Sequence, residues 1–137
     1  MFSFSCPAAV ATLLLLGWVN PSFSQHMNAA DAPCRSSVIT TDAVKCFRDA
    51  VRTADGELNL VYGRINRVLE ASGQQILRSA ERAWLRYRDT ACLAERDLYG
   101  QGTAAEPAFL ACVEAETRHH TAELRSAYWW RVEKFEK

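Results

Sequence analysis

The 137-residue chain has room for one domain, and its 16 Lys and Arg balance 16 Asp and Glu to a formal net charge of zero. General nucleic-acid binders gain affinity by neutralising many phosphates and carry a basic excess, so that class is excluded. Its one long apolar run, Ala8 to Val19, falls short of the roughly 20 residues a membrane span needs.

That run has the length of a signal-peptide core, and Ser22-Phe23-Ser24 after it supplies small residues for a cut after Ser24. No Lys or Arg precedes it, so the α-amino group alone carries the usual positive charge. Residues 1–24 are therefore expected to be a cleaved signal peptide and 25–137 the mature domain, periplasmic or secreted, with no transmembrane segment left. Cys6 falls within the signal. The four remaining cysteines, Cys34, Cys46, Cys92 and Cys112, form an even set in a short exported chain, which points to two disulfides. There is no C-x-x-C pair and no Cys/His cluster at zinc-ligand spacing, so neither a metal nor another cofactor is expected.

After a polar lead to Ser37, apolar residues recur at steps of three and four: Val44, Phe47, Val51, Ala54, Leu58, Val61, Ile65 and Leu69. The spacing predicts a helix over about 41–71, capped by Thr40 or Thr41 and ended by Ser72-Gly73, with Gly56 and Gly63 marking close packing or a bend. Ser72-x-x-Gln75 reads as a capping box opening a second helix over about 73–98, with Leu77, Ala80, Trp84, Tyr87, Ala91 and Leu98 on its apolar side. The Tyr99-Gly100-Gln101-Gly102-Thr103 stretch is a loop by its two glycines. A third helix, about 107–134, starts near Pro107 and places Phe109, Val113, Thr117, His120, Leu124, Ala127 and Tyr128 on one side.

Short connections favour antiparallel neighbours, so the expected fold is an all-α, up-down-up three-helix bundle braced by two disulfides. All four mature cysteines then sit towards one end. Cys92 and Cys112 stand about ten residues on either side of the turn near Gly102 and so lie level in an antiparallel pair, which favours Cys92–Cys112. Cys34 is left to clip the N-terminal arm to Cys46.

Candidate sites are few. His119 and His120 are adjacent and point about 100° apart on a helix, so they cannot share one ion. Glu81, Glu95, Glu114 and Glu116 show no spacing that pairs two acids across a cleft, and no serine or cysteine nucleophile motif is present. The chain is not expected to be an enzyme. Trp84 and Tyr87 read as core residues of the second helix. The Tyr128-Trp129-Trp130 run fans so widely that at least one ring must be exposed unless another element covers it. Arg78, Arg82 and Arg86 form a row opposite the second helix's apolar face, either a solvated surface or a contact for an acidic partner.

Four spaced blocks in order resemble the LprI-type lysozyme-inhibitor domain family, from about Cys34 to Tyr128. They are Thr41-x-x-x-x-Cys46, Asp55-x-x-Leu58-Asn59-x-x-Tyr62, Ala83-Trp84-Leu85-x-Tyr87-Arg88-Asp89-x-x-Cys92, and Cys112-x-x-x-x-Thr117-Arg118 with Leu124-Arg125. Glu81 stands where the family usually has Gln, and His119-His120 replace a polar-Arg pair. The resemblance implies a secreted, periplasmic or surface-associated helical domain, with a lysozyme as partner and inhibition by stoichiometric occlusion. It supplies no catalytic residue. An envelope scaffold that binds another protein or a cell-wall polymer is the alternative. A loop such as Tyr99 to Thr103 is the expected element to enter an enzyme's cleft.

Overall fold

The computed structural model of the chain describes residues 26–37 and 39–136. The expected signal peptide and its cut after Ser24 lie outside the described residues. A 3-10 turn at His26–Asn28 precedes three helices, α1 (Thr40–Arg67), α2 (Ala71–Asp97) and α3 (Ala105–Phe135), and the described residues form no strand.

Helix α1 forms on the expected stripe, with Phe47, Ala54, Leu58, Val61 and Ile65 buried. Its start differs from the expected one. Ile39 occupies the N-cap without a side-chain bond and Thr40 already lies in the first turn, so neither threonine caps. At its end, the Val68 and Leu69 N–H groups bond back to Ile65 and Asn66 carbonyls at 3.1 and 3.4 Å, tightening the last turn. The Arg131 Nε donates to the Val68 carbonyl at 3.0 Å, supplying the basic cap favoured at a helix C-terminus. Helix α2 therefore begins at Ala71, and Ser72-Gly73 lies inside its first turn instead of separating the helices. The capping box does not form. The Gln74 side chain instead reaches back to the Leu69 carbonyl at 2.9 Å and ties the short junction.

Helix α3 lies at the centre and packs along both α1 and α2. Its first half is buried on nearly every side, through Ala108, Leu110, Ala111, Cys112, Val113 and Ala115. The small alanines let neighbours approach from more than one direction. The stripe expected on one side of this helix is correct in its members Val113, Thr117 and Leu124 but too narrow, because α3 has two helical partners and the N-terminal arm against it.

Both disulfides pair as expected, Cys92–Cys112 on helix height and Cys34–Cys46 as the pair that remains. Cys34–Cys46 has its Cα atoms 5.9 Å apart and pins the arm to α1, while Cys92–Cys112 spans 5.4 Å between α2 and α3. The arm is further held by the His26–Glu95 pair and by Asp31 with Arg118 at 2.8 Å. At the other end, Leu58, Val61, Ile65, Leu77, Leu124 and Val132 form an apolar core, with Tyr128 and Trp129 packed on it. Trp130 is the exposed ring of its run, at 58%.

Candidate functional site

Helix α2 buries only Leu77 and Cys92 fully, and its inner face is rotated from the expected one. Tyr87 is 61% exposed, and Ala80 and Leu98 are exposed as well, whereas Glu81 and Arg88 are drawn inward. The physical reason lies on α3, which offers polar partners. The His120 Nε2 and a Glu81 carboxylate oxygen stand 2.8 Å apart, and Arg88 donates to the Thr117 hydroxyl at 3.0 Å. Tyr87, three residues on from Trp84, lies about 60° round the helix and falls outside this contact.

Trp84 stacks on His120 with ring centroids 4.0 Å apart and planes 11° from parallel. The Arg88 guanidinium lies over the same indole at 5.3 Å. Burial by itself lowers the His120 pKa, but the hydrogen bond and charge of Glu81, backed by Glu123, outweigh it and raise the value above 6.5. The arrangement of carboxylate and indole face around the imidazole favours its protonated form. His119, by contrast, points into solvent.

Above this cluster α1 and α2 part to leave a groove of about 420 Å³. One wall is Asp55, Leu58, Asn59 and Tyr62 of α1, and the other is Arg78, Glu81, Arg82, Leu85 and Arg88 of α2. This cleft is not among the expected features, although the sequence carries a signal for it: 55, 58, 59, 62 and 78, 81, 82, 85 repeat the same i, i+3, i+4, i+7 spacing, which puts each set on one face of its helix. Six of the residues that carry the family resemblance, Asp55, Leu58, Asn59, Tyr62, Leu85 and Arg88, line the groove. Trp84 and Thr117 lie behind it, holding His120 and Arg88, and Leu124 is in the core. Thr41 and Tyr87 are exposed. Asp89 is also on the surface and accepts from Arg88 at 2.9 Å.

The arginine row does not run straight along the outer face. Arg78 and Arg82 stand on the groove wall, while Arg86 faces away from it, exposed. The Tyr99–Thr103 segment sits at the disulfide-bridged end as a compact turn. Gly100, at φ +56, takes the left-handed conformation glycine allows, and the Gly102 N–H bonds to the Tyr99 carbonyl at 2.9 Å. A second depression of about 440 Å³ is formed by Gly100, Gln101, Gly102 and Thr103 with Arg96, Asp97, Ala105 and Glu106.

Among the described residues one group at metal-ligand separation occurs, His26, Glu95 and Cys112. Cys112 is oxidised to a disulfide and has no thiolate to give, so the trio serves the arm and not an ion. No described helix is long and apolar enough to cross a membrane.

The family model described as Lysozyme inhibitor LprI matches residues 32–124, the span that contains both disulfides and the whole groove. An uncharacterized protein of Rhizobium meliloti (strain 1021) is 31% identical over 135 residues, covering 86% of this chain and 92% of that relative. No solved structure matches the chain.

Proposed function

The chain belongs to the lysozyme inhibitor LprI family, and on that premise we propose that it is an exported binding protein of the bacterial envelope that occludes a lysozyme stoichiometrically, without chemistry of its own. The family match across the disulfide-braced bundle carries the reading. Two disulfides in so small a domain suit an oxidising compartment outside the cytoplasm. An inhibitor gains affinity when its contact surface is already rigid, because less conformational freedom is lost on binding. The Tyr99–Thr103 turn meets that requirement: it is closed by its own backbone bonds and anchored seven residues away by Cys92. In this reading the turn enters the enzyme's cleft.

Isothermal titration of the oxidised protein against a c-type lysozyme tests the proposal. One binding site per enzyme, weakened about tenfold or more by replacing Gln101 and Thr103 together with Asp, is the expected result. Heat release that persists unchanged in that variant would move the contact elsewhere. Absence of any heat with c-, g- and i-type enzymes alike would refute the lysozyme reading.

A further inference from the structure

The α1–α2 groove has a charge imbalance that the fold itself does not use. Its two acids are each tied to a cation: Glu81 to His120 at 2.8 Å and Asp55 to Arg88 at 3.4 Å. Arg88 is in turn committed, only 12% of its side chain exposed, to Thr117 and Asp89 as well. The two remaining cations have no such partner. Arg78 makes no hydrogen bond or ion pair among the described residues, and Arg82 reaches only the Ser79 hydroxyl, at 3.2 Å. The apolar surface of the groove comes from Leu58 and Tyr62 of α1 and from Leu85 of α2, the last 39% exposed. Unpaired guanidiniums beside an apolar floor complement a ligand that offers carboxylates on one side and aliphatic carbon on the other.

The length of the walls narrows the class further. The α2 wall runs from 78 to 88, and the α1 wall facing it takes seven residue steps from 55 to 62, or about 10 Å at 1.5 Å per residue. That is the reach of about three residues of extended peptide, whose side chains alternate in direction and so present acids and apolar groups to opposite sides. We propose that the groove docks an extended acidic segment of another protein, its carboxylates on Arg78 and Arg82 and its aliphatic side chains over Leu58, Tyr62 and Leu85. The site is separate from the Tyr99–Thr103 turn, and the inference stands whether or not that turn meets a lysozyme.

The probe is the capped tetrapeptide acetyl-Leu-Glu-Leu-Glu-amide, titrated into the oxidised, isotope-labelled full chain and followed by amide NMR shifts. Shifts centred on Asn59 and Leu85 are expected, with affinity falling about tenfold in Arg78→Glu or Arg82→Glu and falling further as salt rises. Arg35→Glu makes the same charge change away from the groove and should bind as the parent does. The inference is overturned if no shifts occur at millimolar peptide, if the Gln-for-Glu peptide binds equally well, or if the groove variants, folded by circular dichroism, bind unchanged. Equal shifts from inorganic phosphate would overturn it too, since a simple anion needs no apolar floor.

Discussion

Trp84 and His120 show how a polar contact can set the orientation of a helix. The imidazole stacks on the indole at 4.0 Å and pairs with Glu81 at 2.8 Å, so α2 turns charged residues inward where an apolar stripe was expected. The His120 pKa is raised in the fold. Its contribution to stability is therefore complete below the ordinary histidine value and is lost as pH rises through the raised one. Melting temperatures of the parent and Glu81→Gln should consequently lie furthest apart below about pH 6.5 and draw together as pH rises through the raised His120 value, and a constant gap would contradict the pairing. Ile65, wholly buried, belongs to the apolar part of the core; Ile65→Ala should lower the unfolding free energy by about 2–5 kcal/mol in a urea titration. Gly56 behaves differently. Neither close packing nor steric need explains it, because a Cβ there would meet nothing within 4 Å. Gly56→Ala should stabilise the helix by about 0.5–1 kcal/mol, and a destabilised variant would contradict the open space around this position. Apolar periodicity identified Ile65 and its stripe-mates correctly. It could not identify Tyr87 as exposed, because the competing signal was a hydrogen-bond partner on another helix.

At the scale of elements, α1 is legible from spacing alone since one helix, α3, covers most of its single apolar face, whereas α3 is not, because burial on several sides erases the contrast that periodicity depends on. The disulfides were legible for a geometric reason: antiparallel helices of known rise put Cys92 and Cys112 level. Their boundary-setting neighbours were not, since the Gln74-to-Leu69 bond displaces the expected Ser72 cap. Replacing both Cys92 and Cys112 by Ser should cost roughly 2–4 kcal/mol in the same urea titration, and should loosen the Tyr99–Thr103 turn to hydrogen exchange more than α1. Cys46 is only half-buried while Cys92 and Cys112 are buried, so under limited reductant the Cys34–Cys46 bridge should open first in a peptide map. The end of α3 is fastened by Glu136, whose hydrogen bonds from Arg64 and Arg67 hold its carboxyl below the usual carboxylate value. That fastening is present above about pH 4.5 and fades as acid protonates the group.

As a whole molecule the protein is a rigid bundle with two separable outward features, a bridged turn at one end and a basic groove between its outer helices. The turn was visible in its glycines. The groove arises only when α1 and α2 both lean on α3 and diverge, an arrangement no single segment encodes, although matched i, i+3, i+4, i+7 sets on both helices were there to be compared. The most direct test of the account is the rate of cell-wall lysis by a c-type lysozyme as the oxidised protein is titrated in. A fall to a plateau near one protein per enzyme, abolished when the disulfides are reduced, is the expected result. A lysis rate unchanged at large excess, for g-type and i-type enzymes as well, would contradict it.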